Sequence, residues 1–400
     1  MNKILLLGGS AQQVIAIETA KRLGYYTVLC DYLTDNPGQF VSDKFYLIST
    51  TDKDAVLDVA KKEHVSGVLA YASDPAAPTA AYVAEQLNLP TNPYNSVSIL
   101  CNKDKFRDFL STHSFNAPKA KGYERVEDAV ADIESFTMPV IIKPVDSSGS
   151  KGATVIRNII ELEKAVEYAF SYSRSHRIII EEYIEKRHKY LIGGDIFVVN
   201  GRIVQWGLMN CHRDSSVNPL VPVGKSYPPL IDDTDLQEAK RTLQRLIDEL
   251  KIKFGPMNVE LIVDQQGKVF LIDIGPRSGG NMIPDLLGMI FNCDVVEMCV
   301  KVAMGEKIDV QMMEGTPFFA THNLHSNKDG IFERIDFSNE LEPYIIRKNI
   351  YKKRGDIVHY FSNAADALGI VFFKFPDVHI MDEMEENMNK YIQVVLEGKK

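Results

Sequence analysis

The sequence predicts a protein that is α/β in its first portion and α+β thereafter, and three observations carry that prediction. Residues 1 to about 92 alternate apolar strands with helical stretches, the rhythm of βαβ units on a parallel sheet. Longer strands and hairpins replace that rhythm further on, ending in two acid-terminated apolar segments near position 270. From about 310 to 400 short strands return, and the chain closes on a helix expected from Asp377. The expected division is therefore 1–95, 96–310 and 311–400.

The first portion reads in order as "KILLLGG", a helix to Leu23, "YYTVLCD", "KFYLI", a helix from Asp52 to Glu63, "VSGVLAY" and a helix to Asn88. This is a Rossmann-like lobe. Gly8-Gly9 after the first strand and Asp31 at the end of the second invite a dinucleotide reading, but "GGSAQQV" has no third glycine where the helix must approach closely. A nicotinamide-dependent oxidoreductase is accordingly disfavoured. One helix is expected over Ser96–His113, carrying Lys103. A second α+β region follows "FNAPKAKGY": a helix near Glu124–Glu134, strand "MPVIIKP", loop "VDSSGSKGA", strand "TVIR", a helix to Ser173 and strand "RIIIEEYI". Further strands reach Leu208, then a polar loop is expected over 210–229, long enough to act as a lid. A helix at Asp235–Leu250 precedes the acidic segments.

Bulk properties narrow the classes. Four hundred residues exceed one ordinary core, and a 45% hydrophobic, 25% charged composition is that of a soluble globular protein. A net charge of −9 argues against a nucleic-acid binder. No apolar run approaches the ~20 residues of a membrane span, and "MNK" before "ILLLGG" is too short for a signal peptide. The five cysteines have no CxxC spacing and read as reduced, buried residues of a cytoplasmic enzyme. Nine scattered histidines show no zinc spacing; His322 and His325, at i, i+3 on an expected strand, should point to opposite faces.

The acid-terminated segments carry the chemistry. "GPMNVELIVD" and "KVFLIDIGPR" read as a hairpin closing on Gln266-Gly267, which sets Glu260 opposite Asp273 and Asn258 opposite Gly275. Opposed residues lie about 4.5–5.5 Å apart at Cβ, and two carboxylates that close repel unless a cation lies between them. Oxygen ligands completed by phosphate are what Mg²⁺ uses in nucleotide enzymes. Upstream, Lys143 ends a strand and the loop Ser147-Ser148-Gly149-Ser150-Lys151-Gly152 follows. Such small residues let backbone N–H groups converge on an anion. An adenine could lie along "IIIEEYIE", bonding the carbonyl of Glu182 and the N–H of Ile184. Arg277, four residues after Asp273 and stiffened by Pro276, is placed to stabilise charge in phosphoryl transfer.

Lys103, then "IIKP…SSGSKG", "EEYI" and "VELIVD…LIDIGPR", in that order over roughly residues 100–305, resemble the ATP-grasp superfamily of carboxylate–amine ligases. The resemblance implies a two-lobed ATP-grasp fold with its phosphate-loop lobe at about 118–185, between the Rossmann-like lobe and a small C-terminal α+β domain. It implies ATP and Mg²⁺ (or Mn²⁺), small-molecule carboxylate and amine substrates, and a homodimer. By position, Lys103, Lys143 and the loop Ser147–Gly152 would hold phosphates, and Glu182 with Ile184 would hold adenine. Asp195 would stand where the family has a Glu near the nucleotide. Glu260 and Asp273 would bind the metal, and Arg277 would stabilise the acyl-phosphate transition state. The acidic motif departs from the usual E-x-N-P-R, reading Asp273-Ile274-Gly275-Pro276-Arg277; the missing Asn would be replaced by Asn258 across the hairpin, or by water.

The implied reaction phosphorylates a carboxylate and lets an amine displace phosphate, with no protein nucleophile. The alternatives are an acyl or formyl kinase and a regulatory ATP-binding protein. Among ligases, a purine-type reaction on a phosphoribosylamine would need a phosphate pocket, which Gly8-Gly9-Ser10 could supply at a helix N-terminus. An amino-acid or peptide ligase would use "RSGGN" (277–281) and the 210–229 segment for its acceptor. Glu260→Gln is expected to lower kcat by at least about 100-fold; wild-type turnover with Mg²⁺ present would contradict the cross-strand metal pair.

Overall fold

The computed structural model describes residues 1–147, 149–308 and 311–397. Two compact units share the chain: 1–120 with 195–207 and 232–314 form the first, and 121–194 with 208–231 and 315–400 form the second. No helix among the described residues is long and apolar enough to cross a membrane.

The first unit opens on a parallel sheet in the order Lys44–Leu47, Tyr26–Asp31, Lys3–Leu7, Gly67–Leu69. Its central strand is apolar at consecutive positions, Ile4 to Leu7 all buried, because helices cover both faces of such a sheet. Leu5, Leu7, Val28, Val56, Val59 and Val83 form its core. The helix Lys53–Glu63 starts where expected, with Asp52 accepting from the Ala55 N–H at 3.1 Å. The single helix expected over 96–113 is instead two, Tyr94–Leu100 and Lys103–Thr112. Asn102 breaks it, its backbone extended at φ −134° and ψ 111°, so the second helix begins at Lys103.

The rest of the first unit frames the acidic hairpin, Phe254–Val263 and Val269–Gly275. The helix Asp233–Glu249 buries one stripe, Ala239, Leu243, Leu246 and Ile247, at the i, i+4, i+7, i+8 spacing of an amphipathic helix. Two short helices, Ile283–Phe291 and Val295–Ala303, follow the hairpin.

In the second unit, the strand Val140–Pro144 pairs antiparallel with Ile178–Glu182 on one side and Thr154–Ile156 on the other. Ile142, Ile156, Val166, Phe170 and Ile180 are buried against one another beneath the helix Leu162–Ser171. A second antiparallel set starts from the 208–213 part of the strand Arg202–Arg213 and runs through Pro222–Tyr227, Phe319–Leu324, Gly369–Lys374 and Ile345–Ile350.

Three expectations are corrected here. The 210–229 segment is no open loop: its strands reach Arg213 and resume at Pro222, leaving only 214–221 as the turn. Its polar residues misled because they are buried and satisfy one another, Asn210 Nδ2 donating to Ser226 Oγ at 2.9 Å and His212 Nε2 lying 2.9 Å from the same hydroxyl. His322 and His325 do not diverge; the strand ends at Leu324, the chain turns, and the two rings come within 5.4 Å. The terminal helix is short, Val378–Glu386, and a strand, Ile392–Leu396, follows it.

Candidate active site

The acidic hairpin has the expected pairing, Glu260 with Asp273 and Asn258 with Gly275, but reaches it by an unforeseen route. Next to the turn the rungs are Val263↔Val269, Ile262↔Phe270 and Leu261↔Leu271, and continuing that count would set Glu260 against Ile272. A bulge between Glu260 and Leu261 shifts the register by one residue. Because side chains alternate faces, a one-residue slip turns a side chain to the other side of the sheet. The bulge is what sets Asp273 opposite Glu260. The turn itself is fixed by Asp264, whose Oδ1 accepts from Gln266 N at 2.9 Å and Lys268 N at 2.8 Å.

A bulge disrupts the ladder and exposes backbone groups that need other partners. Arg107 supplies them. From the helix Lys103–Thr112 its guanidinium donates to the carbonyls of Leu271 at 3.1 Å and Ile272 at 2.6 Å, and it is only 3% exposed. The same helix begins with Lys103, whose Nζ lies 3.4 Å from Asp273 Oδ2. Arg107 thus holds both the bulge and the helix that presents Lys103. Nothing in the sequence singled it out beyond a charged residue inside a helix.

No group of three or more His, Cys, Asp or Glu able to hold a metal by itself occurs among the described residues. Glu260 and Asp273 offer hard oxygen donors only, which suits Mg²⁺ taking its remaining ligands from phosphate and water. Asn258 is already engaged: its Nδ2 donates to Asp195 Oδ1 at 2.8 Å, while Asp195 Oδ2 accepts from Gly279 N at 2.7 Å. Asp195 is 1% exposed, so its carboxylate ties the hairpin to the "RSGGN" segment. Arg277 donates from Nε and Nη2 to the two oxygens of Asp74, at 2.7 and 2.5 Å, and from Nη1 to Ser278 O at 3.0 Å. Burial opposes the charge on Arg277, but the Asp74 charge and hydrogen bonds outweigh it and raise its pKa above the usual guanidinium value.

In the second unit, Lys143 is 7% exposed and its Nζ lies 2.9 Å from Glu181 Oε2. The sequence points to Glu182 and Ile184 in this segment and gives no sign that Glu181 is the partner of Lys143. The loop after Lys143 is curled: Gly149, Ser150 and Gly152 have φ of +67°, +61° and +75°. Ser150 Oγ donates to Leu220 O at 2.8 Å, and Ser147 Oγ to Lys151 O at 3.0 Å. Gly152 is required twice over, by its φ and because a Cβ would come within 2.8 Å of Pro144 and Tyr172. Ser148 lies outside the described residues. Glu182 accepts from Thr137 N at 2.9 Å and closes its strand; Tyr183 N donates to Pro139 O at 2.9 Å, and Ile184 follows half-buried.

The glycine loop near the N-terminus has its donors in use. Gly9 N donates to Asp31 Oδ2 at 2.7 Å, and Ser10 N and Oγ each donate to Gln13 Oε1 at 2.9 Å. Gln13 in turn donates to Tyr71 O at 2.9 Å. A buried carboxylate and a side-chain amide thus take up the donors of this loop.

A family model described as the ATP-binding domain of the carbamoyl-phosphate synthase L chain matches residues 102–311. A carbamoyl phosphate synthase large chain from Clostridium botulinum is 24% identical over 307 residues, 74% of this chain but 27% of that one. This chain therefore spans about a quarter of that relative's length. Among solved structures, an L-amino acid ligase from Bacillus licheniformis aligns with a TM-score of 0.81 at 17% identity, covering 100% of this chain and 99% of that one. A phosphoribosylglycinamide synthetase from Anaerococcus prevotii aligns at 0.73 with 19% identity, covering 99% and 100%.

Arg107→Met keeps length and apolar bulk but removes both donors to the bulge. It is expected to cost roughly 1–3 kcal/mol for each carbonyl left unsatisfied in chemical denaturation, and to lower kcat as well. A variant of wild-type stability would contradict Arg107's task at the bulge.

Proposed function

The chain belongs to the ATP-grasp family, through its match to the ATP-binding domain of the carbamoyl-phosphate synthase large chain, and on that premise we propose that it is an ATP-dependent ligase joining a carboxylate to an amine. The observation that carries the proposal is the cross-strand rung of Glu260 and Asp273, with the Lys103 ammonium 3.4 Å from the latter. The match over 102–311 supports reading 1–95, 96–310 and 311–400 as a preceding Rossmann-like lobe, the ATP-grasp domain and a C-terminal domain.

In this reading Glu260 and Asp273 hold Mg²⁺ or Mn²⁺, which would neutralise charge on the nucleotide phosphates. Lys103, Lys143 and the Ser147–Gly152 loop bind phosphate oxygens, and the backbone of Glu182 and Ile184 receives adenine. Lys143 is kept from collapsing into solvent by its ion pair with Glu181. Asn258 and Asp195 act together, one bonded to the other, to fix the strand beside the metal pair. A substrate carboxylate oxygen attacks the γ-phosphorus, ADP leaves, and the acyl phosphate so formed is attacked by the amine with loss of phosphate. Arg277 faces the negative charge that builds on the acyl oxygen. Positioning and charge stabilisation carry the acceleration, and no protein nucleophile takes part.

An acceptor bearing no phosphate is favoured, in the manner of an amino-acid ligase. The N–H groups of Gly9 and Ser10 are already taken, one by the carboxylate of Asp31, whose charge would repel a phosphate. A soluble, cytoplasmic enzyme acting on small molecules, as a homodimer, completes the reading.

The test is a matrix of carboxylates against amines with ADP release as the readout. Release that requires both partners is expected, with unphosphorylated amino acids preferred over phosphoribosylamine. Full release with the carboxylate alone would make the protein an acyl kinase, and no release with any pair would leave an ATP-binding regulator.

A further inference from the structure

Gly275 replaces the Asn of the usual acidic motif, and the structure gives the reason in space rather than in backbone freedom. Its φ is not in the left-handed region, where glycine would be required. A Cβ placed on it, however, would lie 2.6 Å from Asp74 Oδ1 and 3.2–3.3 Å from the Arg277 guanidinium. The volume that a side chain at 275 would fill is taken by a carboxylate arriving from 201 positions earlier in the chain.

That carboxylate is delivered with care. Asp74 stands in the turn that follows the strand Gly67–Leu69, before the helix Ala77–Gln86. The turn carries Ala72 at φ +51°, a conformation that costs a non-glycine residue and persists only where surroundings impose it. Both oxygens of Asp74 meet the fork of Arg277, and the two side chains are 22% and 13% exposed. A bidentate carboxylate fixes the plane as well as the place of a guanidinium. With Nη1 also held by Ser278 O, three of the five N–H donors are committed and the guanidinium is fixed on both of its flanks.

We propose that Asp74 is the positioning residue for Arg277, and that Gly275 is the opening that admits it: this chain has exchanged a side chain on the acidic strand for one supplied by the preceding lobe. The proposal rests on the ligase reading, because that reading gives Arg277 its task. The Asn258 amide nitrogen is bonded to Asp195, which leaves its Oδ1 as the atom that would face a metal.

The experiment is a double-mutant cycle on the full chain, read by thermal melting and by steady-state ADP release. Gly275→Asn is expected to lower Tm and to cut kcat at least tenfold, because the new side chain must displace Asp74. Adding Asp74→Gly to it should raise Tm back toward wild type and lower kcat little further, because either change alone already takes Asp74 from Arg277. Asp74→Ala should lower kcat tenfold or more with the KM for ATP changed less than about twofold, and Asp74→Asn, which keeps one acceptor, should recover part of that loss. A Gly275→Asn protein with wild-type Tm, a double variant at or below the product of the two singles, or Asp74→Ala with kcat within twofold of wild type would each overturn the proposal. If wild-type protein releases no ADP with any carboxylate–amine pair, the ligase reading fails instead, and the melting cycle still reports whether Asp74 fills the space at Gly275.

Discussion

Every step of the proposed chemistry depends on one rung of one hairpin. Glu260 and Asp273 face each other only because a bulge adds a residue to the second strand just before Asp273. Without it the turn's register would carry on, Glu260 would oppose Ile272, and Asp273 would turn to the other face. A one-residue irregularity therefore decides whether the two carboxylates stand opposite one another or point to opposite faces. Such an irregularity must be held, and Arg107 does so by bonding the carbonyls of Leu271 and Ile272 from the helix that also presents Lys103.

The surroundings of that rung are built from pairs that restrict one another. Asp195 is bonded to Asn258 on the strand and to Gly279 beyond it. Arg277 is bonded to Asp74, and the space for Asp74 exists only because residue 275 has no side chain. Charged groups arranged this way need no movement to meet developing charge, which is the condition under which electrostatic stabilisation is most effective. The second unit treats Lys143 in the same manner, holding its buried ammonium with Glu181.

What the sequence made legible was local: the alternation of the first lobe, the acid-ended hairpin and the small-residue loop after Lys143. What it hid depended on distance or on a single residue of register. Closing the hairpin on Gln266-Gly267 led to the right pairs, yet the bulge leaves no mark in composition. Asp74 and Arg277 are 203 positions apart, and "YASDPAAP" looks like any turn. The break at Asn102 carries no glycine or proline to mark it in the sequence. The strand pair around Arg213 and Pro222 read as a loop because Asn210, His212 and Ser226 are polar, and only the fold shows them bonded to each other inside.

The most direct test of the central claim is whether Glu260 and Asp273 together bind the metal that accompanies the nucleotide. Mn²⁺ can stand in for Mg²⁺, and its electron paramagnetic resonance signal reports binding without any turnover. With ADP present, wild-type protein should quench the free Mn²⁺ signal at one site per chain, and the Glu260→Gln/Asp273→Asn double variant should lose that site while still binding ADP. Undiminished Mn²⁺ binding by the double variant would show that the metal is held elsewhere, and the account built on this rung would fall.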